Sequence, residues 1–407
     1  MRRESRREDA IAVHGGVRDG KSQSRRRGKQ QDGSVTPASA GPEDQSRVKA
    51  TGPLQGTGHK NAFSETQIDG CAWDGYIDSR DLAIILELQK DGRQSDARIS
   101  RQLGTSEVTI RKRISRLIGE GTIRVVAAPV PWMVGYCVDA RIGLRVDLSR
   151  VKQILEQLVG MATVHFVALT AGRHNIMISV AFRSPHELSD FLANDLSTVP
   201  GIFRSDTFVT LETRKRQHDI LQPVRKAAHR LRQKTARVSA TGATPVRTTG
   251  KMIDRADCDI IVELQRDARQ SDATLARKLA LSEATVRRRI KRLIGDHVIE
   301  VVPAMLPAKV GYVTSAHIGL QVSPAMLDAV LGRLVEMPRV HTVVLTAGEF
   351  DILAWASFVS PSELSSFIRN DISSISGVLR TETMIDLDIK KMELGILPSQ
   401  SATEASG

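Results

Sequence analysis

From residue 77 onward the chain switches between two hydrophobic periods. Over residues 78–90 the apolar positions Ile84, Ile85 and Leu88 fall on one helical face. Ser95 or Asp96 then caps a short helix over 97–103 that turns Ile99 and Leu103 inward, and the chain breaks at Gly104-Thr105. Ser106 opens a third helix over 107–119, with Glu107 in its first turn, where the helix dipole favours an acid. A supporting helix followed by two short helices and a tight turn predicts a helix-turn-helix, and the β-rich TIRVVAAPV (122–130) after it predicts a wing. Beyond that the pattern predicts a strand at 137–146, a helix at 149–160 carrying Val151, Ile154, Leu155 and Leu158, strands at 164–172 and 175–182, a helix at 186–197 and a last strand at 203–213. The order is βαββαβ, a ferredoxin-like α+β unit.

The same pattern then recurs. IDSRDLAIILELQKDGRQSDARISRQLG from Ile77 matches IDRADCDIIVELQRDARQSDATLARKLA from Ile253 at an offset of 176 residues, and 29 of the 50 positions in 77–126 are identical to their partners. VHFVALTAG (164–172) faces VHTVVLTAG (340–348), and SPHELSDF (184–191) faces SPSELSSF (360–367). A period this long means duplicated domains, not a solenoid of small repeats. The expected division is a disordered basic tail (1–76), winged helix-turn-helix one (77–131), ferredoxin-like domain one (132–221), a basic linker (222–252), winged helix-turn-helix two (253–307), ferredoxin-like domain two (308–397) and a disordered tail (398–407).

Composition adds limits. Of 407 residues, 41% are hydrophobic and 26% charged, the balance of a soluble globular chain, and only 4% are aromatic, so the cores are expected to be aliphatic. No uncharged apolar run of about 18 residues occurs and the N-terminus has no apolar h-region, so neither a membrane span nor a secretory signal is expected. Cys71, Cys137 and Cys258 have no CxxC spacing, which gives neither a disulfide framework nor a zinc knuckle and points to a reduced, cytoplasmic protein. The net charge of +12 is uneven. Residues 1–30 hold ten Lys/Arg against four acids, a net of +6; residues 31–76 hold three against six, a net of −3; residues 222–252 hold eight bases and no acid, a net of +8. Segments of that kind attract polyanions such as nucleic acid or an anionic membrane surface, or serve as solubilising tails, and charge alone does not choose between them.

On a helical wheel, Ile110, Ile114 and Leu117 form the buried stripe of the third helix, and Thr109, Lys112, Arg113 and Arg116 the opposite arc. The second copy repeats this with Val286, Ile290 and Leu293 inside and Thr285, Arg288, Arg289 and Arg292 outside. Such a face suits the major groove, where arginine bonds guanine O6 and N7 and any cation holds phosphate. Residues early in the helix reach base edges, so Ser106, Thr109, Lys112 and Arg113, with Ser282, Thr285, Arg288 and Arg289, are expected to read sequence. Arg116 and Arg292 are expected to hold phosphate. The competing reading is a solvated basic face, and the preceding helices and the second copy weigh against it.

The stretch LELQKDGRQSDARISRQLGTSEVTIRKRISRLIGEGTI resembles the winged helix-turn-helix of the Lrp/AsnC regulators, with Lys112-Arg113-Ile114 at its centre, and the βαββαβ half resembles their effector-sensing domain. The resemblance covers about 77–221 and 253–397; tandem duplication departs from the usual single unit. It implies double-stranded DNA as partner, a small effector such as an amino acid, and pairing of sensing sheets, here as an intramolecular pseudo-dimer or a homo-oligomer. Because the two reading helices differ, the expected operator is an imperfect palindrome. The family's T-x-G-x-x-D loop and R-T-x-T segment match Thr346, Gly348 and Asp351 with Thr381 and Thr383; in copy one Thr170 and Gly172 match, Asn175 stands for the Asp and Ser205 for the first Thr. The plain alternative for the loop is a tight turn between strands.

Two other functions compete. A nucleoid-associated packing protein has the same fold and a lower specificity ratio. Siroheme decarboxylases resemble the same two-part unit, and His165, His341 and Arg173-His174 are the residues such an enzyme would use. Their Tyr-Asn-Leu-Trp run is absent, with NIMI and DILA instead, and no HExxH, GxSxG, phosphate loop or metal-ligand cluster appears. The expectation is a regulator without catalytic residues, cofactor or metal.

Overall fold

The structure, a computed structural model, describes residues 77–218, 220–221 and 253–396. The expectations for the tail, the linker and the last residues lie outside these. Copy one runs α1 (Ser79–Lys90), α2 (Asp96–Leu103), α3 (Glu107–Gly119), β1 (Arg124–Pro129), β2 (Val138–Val146), α4 (Val151–Gly160), β3 (Val164–Ala171), β4 (Ile176–Phe182), α5 (Pro185–Asp190) and β5 (Ile202–Arg216). Copy two repeats this order as α6 (Arg255–Arg266), α7 (Asp272–Leu279), α8 (Glu283–Gly295), β6 (Ile299–Ala304), β7 (Thr314–Val322), α9 (Leu327–Glu336), β8 (Val340–Ala347), β9 (Ile352–Phe358), α10 (Pro361–Ser366) and β10 (Val378–Met392).

The helix starts follow from local chemistry. Asp78 and Asp81 form a capping box on α1, and Asp254 and Asp257 the same on α6. Ser95, Ser106, Ser271 and Ser282 each accept the N–H three residues on. α2 ends at Gly104, whose φ of 61° is left-handed; the equivalent Ala280 adopts φ 53°. An L-residue held there is strained by about 1–2 kcal/mol. Ala280→Gly is therefore expected to raise stability by about 1 kcal/mol, less the entropy that glycine adds to the unfolded chain, read as a higher urea midpoint.

The strand expected to form a wing instead joins its counterpart. β1 pairs antiparallel with β6 from Arg124↔Ala304 to Pro129↔Ile299, a ribbon made by both copies. Beneath it the apolar faces of both heads merge: Ile84, Leu88, Ile110 and Leu117 share one core with Ile260, Leu264, Ile290 and Leu293.

Each βαββαβ half forms a four-stranded antiparallel sheet, β3-β4-β2-β5 and β8-β9-β7-β10. Two cross-copy seams, β5 with β8 and β10 with β3, close them into an eight-stranded barrel. Each sheet packs its outer face under its own helices, around Ile142, Ile154 and Phe191 in copy one and Ile318, Leu331 and Phe367 in copy two. The inner faces meet in a core of Phe166, Met177, Phe208, Val344, Phe350 and Met384. Lys215 Nζ donates to the carbonyls of Val335 and Met337 at the end of α9, and Lys391 Nζ to those of Val159 and Met161 at the end of α4, so each last strand caps a helix of the other copy. At the loops before β4 and β9 equivalent positions carry opposite charges: Arg173 pairs with Glu349. Copy one against copy two is thereby attractive where like copies would repel.

Candidate nucleic-acid interface and effector loops

α3 and α8 present one face each to the shared core and one outward. Ile110, Ile114 and Leu117, and Val286, Ile290 and Leu293, are buried as the wheel predicts. The outward cations divide into two sets. Lys112 and Arg288 are exposed and have neither ion pair nor side-chain hydrogen bond among the described residues. The later arginines are engaged. Arg113 Nη1 lies 2.6 Å from Asp78 Oδ2 and 2.8 Å from Asp81 Oδ1, and Arg116 also reaches Asp81. In copy two Arg289 Nη1 lies 2.8 Å from both oxygens of Asp254 and from Asp257 Oδ1, and Arg292 pairs with Asp257. Hydrogen bonds to these carboxylates hold the Arg113, Arg116 and Arg289 guanidiniums above their ordinary pKa. Asp81 and Asp257 are 1% and 0% exposed.

Arg113, Arg116, Arg289 and Arg292 are thus not the free donors that a wheel of one helix implies; they also tie the reading helix to the start of the supporting helix. A wheel omits the element 35 residues upstream. The signal was present as the D-x-x-D spacing at 78/81 and 254/257, repeated in both copies. Ser106 and Ser282 spend an acceptor on the helix cap, and each hydroxyl lies 2.8 Å from that of Thr109 or Thr285. Two arginines not anticipated also matter: Arg93 and Arg269 cross between the heads.

The loops singled out for an effector are turns whose polar groups are used internally. Thr346 Oγ1 donates to the Phe350 carbonyl at 2.6 Å, and Asp351 Oδ2 accepts the Val322 N–H at 2.7 Å. In copy one Thr170 Oγ1 donates to the His174 carbonyl at 2.8 Å, and Asn175 Oδ1 accepts the Val146 N–H at 3.1 Å. Asn in place of Asp keeps that backbone contact and removes only the charge. The glycines allow close cross-copy approach: a Cβ on Gly172 (φ 142°) would lie 2.9 Å from the Thr383 carbonyl, and one on Gly348 (φ 153°) 3.1 Å from the Thr207 carbonyl. Thr383 therefore neighbours the copy-one loop, while Thr346 and Gly348 neighbour the last strand of copy one and Asp351 is held by β7 of its own copy. Thr381 and Thr383 stand on β10, as half-buried positions.

Of the paired histidines His341 is buried and His165 half-buried, and both are neutral. Desolvation holds His165 down to about 4 and His341 down to about 3. His317 and His218 are likewise pulled down to about 3. Beside His317, burial pushes Asp386 up to about 7 although the Trp355 indole donates to it at 2.9 Å. The signs oppose. Asp386 keeps a proton that the unfolded chain has lost, so its contribution falls as pH rises from about 4 to about 7. The histidines stay neutral where the unfolded chain is protonated, so theirs falls as pH drops from about 6.5 towards 3. Asn at 386 still accepts the indole N–H, so Asp386→Asn is expected to gain stability over the parent at pH 8 and less at pH 5. Urea midpoints at both pH values measure this; an equal difference at both contradicts an up-shifted Asp386.

The AsnC-type helix-turn-helix domain matches residues 77–118 and 253–294, and the Lrp/AsnC ligand-binding domain matches 139–220 and 315–395. An HTH-type transcriptional regulator of Pyrococcus abyssi is 34% identical over 140 residues, 34% of this chain and 89% of that protein. One from Methanocaldococcus jannaschii is 31% identical over 128 residues, 31% of this chain and 86% of that protein. Among solved structures, the siroheme decarboxylase NirDL covers 80% of this chain and 96% of its own at TM-score 0.55 and 13% identity, a likeness of fold alone. The helix-turn-helix pair and the ligand-binding barrel define a DNA-binding transcriptional regulator. The chain belongs to the Lrp/AsnC family, with the unit present twice. Among the described residues no helix is long and apolar enough to cross a membrane.

Proposed function

We propose that this chain acts as an intramolecular pseudo-dimer, holding two unlike reading heads on one frame to recognise a DNA site of two unlike half-sites. The observation that carries the reading is the double join between copies, the β1–β6 ribbon and the barrel seams. Lys112 and Arg288 reach for bases with Ser106, Thr109, Ser282 and Thr285 beside them; Arg113, Arg116, Arg289 and Arg292 hold the helices and offer their remaining N–H groups to phosphate. An amino-acid effector binds at the loops, that of Thr346, Gly348 and Asp351 in copy two and that of Thr170, Gly172 and Asn175 in copy one, with Thr383 beside Gly172 and Thr381 on the same strand. The anionic Asp351 suits an ammonium group and makes the copy-two loop the stronger site. This chain acts as a regulator and not as an enzyme, in keeping with the helix-turn-helix regulators it resembles.

The test is fluorescence anisotropy of the chain, with and without residues 1–76, on labelled DNA from upstream of its own gene and on a scrambled duplex at the same near-physiological salt. Tighter binding to the upstream duplex by about tenfold, about 1.4 kcal/mol, supports a sequence reader. Equal binding by both forms supports a packing protein, whose affinity follows phosphate charge and salt.

A further inference from the structure

We propose that Arg93 and Arg269 form a reciprocal clamp that sets the separation of the half-sites the protein accepts. The inference rests on the two-headed DNA reading above and adds what fixes its geometry. Arg93 crosses from copy one: Nη1 donates to the Ala268 carbonyl at 2.7 Å, and Nη2 to the Gln270 carbonyl at 3.3 Å and Asp272 Oδ1 at 2.7 Å. Arg269 returns the contact: Nη1 donates to the carbonyls of Gly92 at 3.2 Å and Gln94 at 3.0 Å, and Nη2 to Asp96 Oδ1 at 2.7 Å. Both guanidiniums are about four-fifths buried, with side-chain exposures of 20% and 19%. In that setting a planar fork holding three acceptors resists rotation far better than a surface ion pair.

The acceptors connect the clamp to the reading helices. The second oxygen of Asp272 accepts from Arg287 Nε of α8 at 3.0 Å, and that of Asp96 from Arg111 Nε of α3 at 3.3 Å. Each carboxylate joins an arginine of the other copy to the reading helix of its own. Both sit in the first turn of α2 or α7, where the helix dipole favours negative charge. The clamp continues the ribbon: the Ala268 N–H donates to the Val125 carbonyl of β1 at 2.8 Å and Gly92 packs against Val301 of β6, so ribbon and forks together hold the starts of α2 and α7. Held there, α3 and α8 cannot change separation without breaking a buried fork or the exposed pairs of Arg111 with Asp96 and Arg287 with Asp272. A two-fold reader with fixed heads accepts half-sites only at the matching helical phase, one turn or a multiple apart.

The experiment selects duplexes from a pool with a randomised centre, using the full chain, then varies the spacing of the enriched site. Against the parent, inserting or removing two base pairs between the half-sites should weaken binding about tenfold or more. Arg93→Lys with Arg269→Lys keeps both charges and loses the forks. This variant should bind the selected spacing within about threefold of the parent and the altered spacings within about threefold of that value. Arg93→Ala with Arg269→Ala should relax spacing further; melting curves of both variants establish that they fold. Spacing discrimination unchanged in the folded Lys variant overturns the clamp. Failure of the parent to enrich any bipartite site overturns the two-headed reading beneath it, a separate and visible outcome.

Discussion

Alanine at both Lys112 and Arg288 is expected to lower affinity for the specific site about a hundredfold or more while leaving the fold intact. These are the equivalent outward cations of α3 and α8 that have no partner among the described residues, so their N–H groups are free for a ligand. A good base or phosphate contact contributes about 1–3 kcal/mol, and two add when they lie on separate half-sites. Both side chains are exposed, so stability should change by no more than about 0.5 kcal/mol. Anisotropy on the selected duplex and urea midpoints measure the two quantities together. A loss smaller than threefold, with the fold intact, places the reading surface elsewhere.

Asp257→Ala should be among the most damaging single changes in the helix-turn-helix pair. The carboxylate is fully buried, accepts the Asp254 N–H at 3.1 Å to complete the α6 capping box, and takes Arg289 and Arg292 of the reading helix. Asp254 still caps the helix through the residue-257 N–H, so only the return bond of the box is lost, about 1 kcal/mol. Loss of the buried acceptor costs more. The two arginines are about a quarter exposed, and water screens part of the second cost. The expected total is about 2–4 kcal/mol, seen in urea unfolding. The same variant frees Arg292 beside the reading face, while Arg289 keeps Asp254, so binding to scrambled DNA should gain salt dependence. Asp81→Ala in copy one should behave alike. A stability loss below about 0.5 kcal/mol contradicts the central place given to these carboxylates.

Most of the fold was legible because its information is local. The stripe of Ile110, Ile114 and Leu117 and the caps at Ser95 and Ser106 act within one or two turns, and α2 and α3 lie within a residue of their expected limits. The βαββαβ order was equally readable, although β5 runs to Arg216, three residues beyond the expected end, because its pairing with β8 continues there. What escaped is contact at long separation. Alternation along 122–130 marks a strand but not its partner, and that partner, β6, belongs to the second copy. Arg113 and Arg116 read as free because Asp78 and Asp81 are brought to them only by the packing of α1 on α3. Arg93 sits in the repeated R-Q-S-D run, which as a sequence looks like a helix start and nothing more. The effector loops show the reverse case: residues expected to await a ligand also satisfy the backbone of their own turn.

One chain with two unlike heads should read two unlike half-sites. A hydroxyl-radical footprint of the parent and of Lys112→Ala and Arg288→Ala separately, on the selected duplex, measures this. The parent should protect two half-sites, with each variant losing protection over a different one. Loss over both halves by either variant, or a single protected half in the parent, would contradict it.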